Sequence, residues 1–267
     1  MGPAVASVSS GMDRAWLEDQ ARHDPVMHAY ALWDLDYAPD RVEFRVLREG
    51  GVPVAYLLIW HGNLGTVVHW VGSDRPDALL DALPPRPLIA VVPEPVGEAV
   101  CAARAPARTY RIRVMSRAAG AVPSPVPDPR IRRLRSADVP ELQGFAARAD
   151  EWVRRGYTRP MRLDDPPIPE AIWGAFDGPR IVGVASTHVK RASVWIIGGV
   201  YVDPAHRNQG LGRALTAAAV AEADATGAAT ALFVRDDNAP AVRAYERVGF
   251  RTLRYRTWVD AGAERAP

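Results

Sequence analysis

Apolar and polar residues alternate along Val42-Glu-Phe-Arg-Val-Leu47, a period of two that predicts a half-buried strand. Val52–Trp60 is nearly all apolar, the pattern of a strand covered on both faces. Glu49-Gly-Gly51 is the turn signal between them. Gly65–Val71 follows as a further strand after His61-Gly-Asn63. Ahead of these strands, helical patterning covers roughly residues 13–34. Behind them the pattern predicts a short helix over Asp77–Leu83 and a buried strand at Leu88–Val92. A helix at Glu94–Ala103 and a strand at Thr109–Met115 complete the series. The order ααβββαβαβ predicts a small α/β sheet domain.

Ala121–Pro129 holds four prolines in nine residues, which excludes helix and central strand. It reads as a stiff extended linker. A similar layout returns after it. Ile131–Leu134 is a strand, and Ser136–Ala149 a helix with Ser136 as N-cap. An irregular stretch rich in Pro, Arg and Asp covers 151–169. Strands are predicted at Ala171–Phe176, Ile181–Val189 and Ser193–Val202, then a helix at Leu211–Thr226 closed by Gly227. A strand at Ala229–Val234, a helix at Ala239–Val248 and a strand at Phe250–Val259 end the chain. The expected division is a domain over 1–121, a linker over 122–129 and a second domain over 130–267.

Composition narrows the class. The 267 residues are 48% hydrophobic and 24% charged, which excludes disordered, collagenous and coiled-coil chains. The net charge of +2 is too small for a dedicated nucleic-acid binder. Residues 1–121 hold 12 Arg against 14 acids, and the remainder 21 basic against 17 acidic residues, so the mild basic excess lies in the second half. It suits an anionic small molecule. Cys101 is the only cysteine, which excludes an intrachain disulfide and a cysteine-based zinc site. No metal is expected. With no visible signal peptide and no apolar run of about 20 residues, the expected setting is the cytoplasm, away from membranes. Lys190 is the only lysine, an arginine bias best explained by codon usage.

Chemistry concentrates in Val200-Tyr-Val-Asp-Pro-Ala-His-Arg-Asn-Gln-Gly-Leu-Gly212. A strand ends at Val202, and Arg207-x-x-Gly210-x-Gly212 opens a helix. Backbone N–H groups at a helix start lack intrahelical partners and point toward an anion. Glycines let a phosphate approach the backbone, and Arg207 adds a charged donor. No Walker lysine is present, and Leu215 stands where a dinucleotide fingerprint needs its third small residue. A tight strand-to-helix turn without a ligand is the alternative for this motif alone. Downstream, Asn238 is a natural N-cap, and Ala241, Tyr245 and Val248 share one helix face before Gly249-Phe250.

Together, Arg207-x-x-Gly210-x-Gly212 and Asn238-x-x-Ala241-x-x-x-Tyr245-x-x-x-Gly249-Phe250 resemble the GNAT acyltransferase superfamily over roughly 131–259. The resemblance implies an α/β (α+β) fold, a mixed sheet flanked by helices. The N-terminal half would be a degenerate copy, with Val71-Gly-Ser-Asp-Arg-Pro76 in place of a phosphate loop, as in tandem members similar to glycine acyltransferases. It implies acetyl-CoA, or another acyl-CoA, as cosubstrate. Arg207, Asn208, Gln209, Gly210, Leu211 and Gly212 would hold its pyrophosphate, and the backbone of Val200, Tyr201 and Val202 its pantetheine arm. Asn238 would touch the same arm as well as cap its helix. Tyr245 would protonate the leaving thiolate, the alternative being a core tyrosine. The acceptor would be a small-molecule or protein amine, attacking directly in a ternary complex. The base is open among His188, Glu170, Glu151 and Asp203, with Asp203 also suited to shaping the Asp-Pro turn. Glu151–Tyr157 and Arg162–Asp165 would line the acceptor site. The alternative function is a non-catalytic acyl-CoA sensor.

Overall fold

Two glycines with positive φ, Gly50 at 58° and Gly51 at 84°, fold the chain back between β2 (Val42–Glu49) and β3 (Val52–Gly62). This hairpin starts a sheet in the computed structural model, which describes residues 6–62, 65–73, 75, 77, 79–85, 87–105, 108–121, 128–149 and 171–262. The described residues group into two units: 6–114 with 235–237 and 254–262, and 115–234 with 238–253.

In the first unit, β1 (Ala6–Ser10) lies antiparallel to β2, which also pairs with β3, and β3 with β4 (Gly65–Val71). β5 (Leu88–Pro93) then runs parallel to β4. Residues 256–261 of β12 (Arg251–Ala261) lie antiparallel to β5. Alternation along β3 feeds two cores. Tyr56 and Leu58 join Leu17, Leu32, Phe44 and Val46, the side covered by α1 (Arg14–His23) and α2 (Ala29–Tyr37). Leu57 and Ile59 join Trp70, Val92, Val96 and Val100, the side covered by α3 (Glu94–Arg104). Asp13 caps α1 through the N–H groups of Ala15 and Trp16.

In the second unit β7 (Ile131–Arg133), β8 (Ile172–Asp177), β9 (Arg180–Lys190) and β10 (Val194–Val202) pair antiparallel in succession. β11 (Ala229–Arg235) runs parallel to β10. Leu142 and Phe145 of α4 (Val139–Arg148) pack on Ile172, Ile181, Val184 and Tyr201. α5 (Leu211–Ala225) and α6 (Ala239–Val248) share a second core with Trp173, Val182, Trp195 and Ile197. β6 (Arg108–Arg117) has its last three residues in this unit.

Some sequence expectations change. The helix expected over Asp77–Leu83 is a run of turns in its described residues, closed by the bonds Ala82 N–H to Leu79 and Leu83 N–H to Leu80. Seven residues ahead of Pro84-Pro85 are too few to stabilise a helix. Pro25 splits the 13–34 pattern into α1 and α2. Ser136 begins a 3₁₀ turn, Ser136–Asp138, and α4 starts only at Val139; the Asp138 carboxylate accepts the Arg135 N–H at 2.8 Å. β1 had no sequence signal. Most of the proline stretch, 122–127, lies outside the described residues. The grouping differs from the expected division in placing 115–121 with the second unit, and 235–237 and 254–262 with the first.

Candidate active site

The parallel ladder between β10 and β11 joins Val194–Ile197 to Ala229–Leu232 and stops there, although both strands continue. Two irregularities accompany the end of this ladder. His188 of β9 is an extra residue between the pairs Ile196–Val189 and Ile197–Thr187. On β10, Gly199 (φ 60°) and Val200 form a second bulge between the pairs Gly198–Ser186 and Tyr201–Val184. Val200–Val202 therefore run on past the last β11 pair, with Tyr201 and Val202 still paired to β9.

The turn after β10 is built from its own side chains. The Asp203 carboxylate accepts the Ala205 N–H at 2.9 Å and shapes the 3₁₀ turn Pro204–His206. Arg207 donates from Nε to the Val202 carbonyl at 3.0 Å, and its guanidinium lies 5.6 Å from the Tyr201 ring centre. Asn208 (φ 64°) and Gly210 (φ 77°) adopt left-handed conformations, which reverse the chain into α5. No side chain caps α5, whose first bond is Ala214 N–H to the Gly210 carbonyl. Arg207, Asn208, Gln209 and Gly210 are exposed, whereas Leu211 is buried as the helix's first core anchor. A side chain at Gly212 would meet nothing nearer than Val202 Cγ2 at 3.9 Å, and one at Gly210 nothing nearer than Arg213 at 4.0 Å. The space over this turn is open, as a bulky anion requires.

A cleft of about 450 Å³ adjoins the turn, lined by Asp128, Arg130, Gln209, Gly210 and Arg213, among others. Asp128 holds Arg130 through bonds of 3.0 and 2.8 Å, which draws the Asp128 carboxyl below its usual range. Sequence reasoning missed Arg130 and Arg213. Arg213 had a signal, since it follows Gly210 by three residues and shares its side of the first helical turn.

Asn238 caps α6 through the Ala241 N–H at 3.3 Å. Tyr245 is 8% exposed and packs edge-on to Phe250, at 6.2 Å between ring centres. Burial pushes its phenol up to about 12, so it stays protonated and available as a donor. Gly249 (φ 101°) ends α6, with Phe250 N–H bonded back to the Tyr245 carbonyl. Among the base candidates, Asp203 is engaged by its turn. His188 is exposed and its ring lies over Gly198, the first β10 residue past the ladder. Glu151, Glu170 and the expected acceptor segments Glu151–Tyr157 and Arg162–Asp165 lie outside the described residues.

Residues 131–250 match the Acetyltransferase (GNAT) family. A mycothiol acetyltransferase of Actinosynnema mirum is 34% identical over 169 residues, 58% of this chain and 56% of that protein. One of Gordonia bronchialis is 38% identical over 86 residues, 31% of this chain and 28% of that protein. The chain thus spans about half the length, or less, of these curated relatives. A tandem GNAT protein from the clavulanic acid biosynthesis pathway superposes with a TM-score of 0.58 at 16% identity, over 98% of this chain and 100% of that one. A GCN5-related N-acetyltransferase from Kribbella flavida gives 0.58 at 17% identity, over 90% and 95%. These two likenesses establish the α/β fold, a mixed sheet flanked by helices, across both halves. The matched residues run from β7 to just past the end of α6, so the likeness to the GNAT acetyltransferase family lies in the C-terminal half of the chain.

Proposed function

We propose that the chain is an acyl-CoA-dependent N-acyltransferase that moves an acetyl group from acetyl-CoA to a primary amine. The carrying observation is the interrupted β10–β11 ladder, followed at once by an uncapped helix start with open space over Gly210 and Gly212. The N–H groups of that start, with Arg207, suit a pyrophosphate, and Asn208, Gln209 and Leu211 complete its frame. The backbone of Val200, Tyr201 and Val202 is offered to the pantetheine arm, and Asn238 stands at the start of α6 beside Tyr245's helix face. The amine nitrogen attacks the thioester carbonyl carbon, the C–N bond forms and the C–S bond breaks. The sulfur takes a proton from the Tyr245 phenol, and the amine's proton leaves to His188 or to water. The free thiol of Cys101 suits the reducing cytoplasm we assign to the protein.

A thiol-release assay over an amine panel tests this reading. Amines related to mycothiol belong in the panel because the curated relatives carry that name. At least one amine should raise thiol release well above hydrolysis. Tyr245→Phe should cut kcat by about 10²–10⁴-fold while leaving acetyl-CoA affinity intact. A wild type that binds acetyl-CoA and accelerates with no amine is a sensor, and the proposal fails.

A further inference from the structure

The first unit repeats the arrangement of strands that frames the site in the second. β4 and β5 form a parallel ladder of four pairs, Thr66–Leu88 to His69–Val91, and both strands continue past it. The connection after β4 begins with a left-handed glycine, Gly72 (φ 100°). Here, however, each feature that is open in the second unit is filled by the protein itself. The carbonyls of Trp70 and Val91, at the end of the ladder, both accept bonds from Nη2 of Arg256, the one to Val91 at 2.9 Å. Arg256 comes from β12, pairs opposite Pro93, and extends past β5 to β4. It is buried, and burial lowers its guanidinium to about 10, so it keeps its charge at neutral pH.

The turn after β4 is occupied as well. A side chain at Gly72 would lie 2.6 Å from the Val54 carbonyl and 2.7 Å from the Ala55 backbone, so this glycine lets the turn press on β3. Gly210 and Gly212 have open space in the same position. The Ser73 carbonyl is taken by the Trp70 indole N–H at 2.8 Å, and the Ser73 hydroxyl by the Arg75 N–H at 3.1 Å. Arg75 is exposed, as Arg207 is, but its guanidinium is held by the Glu49 carboxylate at 2.8 Å, whereas Arg207 bonds a backbone carbonyl.

Resting on the function proposed above, we infer that the chain takes one acyl-CoA, in the second unit. In the first unit the Arg256 guanidinium bonds both strands at the end of their parallel ladder, the place where the second unit would admit the cosubstrate. Arg256 is thus a built-in occupant that closes the duplicate site.

Isothermal titration of the full chain with CoA tests this. Wild type should bind one equivalent. Gly212→Asp places a carboxylate at the phosphate position, while an acid in a first helical turn favours the helix, so the variant should fold. It should lose binding by at least about 100-fold, with no second class of sites uncovered. Two equivalents in wild type, or one retained by the Gly212→Asp chain, overturn the inference and leave the proposed function standing. No binding to wild type refutes the proposed function, and this inference with it. If Gly212→Asp fails to fold, the wild-type stoichiometry decides alone.

Discussion

Asp34 lies in the last turn of α2, only 8% exposed, and burial holds its carboxyl up at about 7 instead of the ordinary 3.8. Below about pH 4 it is protonated both folded and unfolded, and its contribution to stability is at its best. Between about pH 4 and 7 the unfolded chain releases the proton and the folded chain keeps it. Stability therefore falls as pH rises, and the loss is complete once the folded group has ionised as well. At about 1.4 kcal/mol per pKa unit, the loss reaches about 4 kcal/mol by pH 8. The ionised carboxylate would also face the negative end of the α2 dipole, which acts in the same direction. Asp34→Asn removes this titration and keeps the shape. Urea unfolding of both proteins at pH 5, 6, 7 and 8 isolates it, because every other group cancels in the difference. The variant's advantage should grow by about 2–3 kcal/mol from pH 5 to pH 8, with m-values unchanged. A difference that stays flat across this range, or grows toward acid, refutes an Asp34 kept protonated by burial.

Asn238→Ala removes the bond to the Ala241 N–H and should cost about 1 kcal/mol of stability. If Asn238 also touches the cosubstrate, CoA should bind about tenfold more weakly, and unchanged affinity confines it to capping. A methyl at Gly198 would come within 2.7 Å of the His188 ring nitrogens. Because His188 is exposed and can swing aside, Gly198→Ala should cost only about 1 kcal/mol but slow amine transfer about tenfold or more. Full transfer activity in that variant removes His188 as the proton acceptor. Arg117, almost wholly buried, pairs with Asp224 at 2.8 Å between β6 and α5. Arg117→Met should lower stability by about 3 kcal/mol in chemical denaturation, and a loss under about 1 kcal/mol would contradict a buried pair.

The parts of the fold that were legible in sequence are those encoded by neighbouring residues. Alternation over 42–47, the Gly50-Gly51 reversal and the Asn238 cap each act within a few positions, and each forms where expected. The loop 207–212 was legible for the same reason, since its glycines, arginine and following helix are contiguous. What escaped depends on distant partners. Nothing near Arg256 announces that its guanidinium will meet carbonyls 165 and 186 positions earlier in the chain. Likewise Arg130 looked like one arginine among many until the fold brought it beside Gln209, at 3.4 Å. The helix expected at Asp77–Leu83 failed because helix formation needs length that periodicity alone does not measure.

The start of α5 differs from most other helix starts in leaving its donors available to the proposed ligand. Asp13 and Asn238 turn their side chains onto the first N–H groups of α1 and α6. α3 and α4 carry Pro95 and Pro140 in their first turns, which removes one donor from each. α5 begins with a left-handed glycine that has no side chain to offer, and its first turn holds neither proline nor acid. Forgoing a cap costs about 1 kcal/mol, and α5 can bear this because Leu211, Leu215, Ala219 and Val220 bury its inner face. The donors left over lie at a helix start with open space beside Gly210 and Gly212. The arrangement gives up local helix stability exactly where an anion would restore it, so occupancy of the site should be felt as stabilisation of α5.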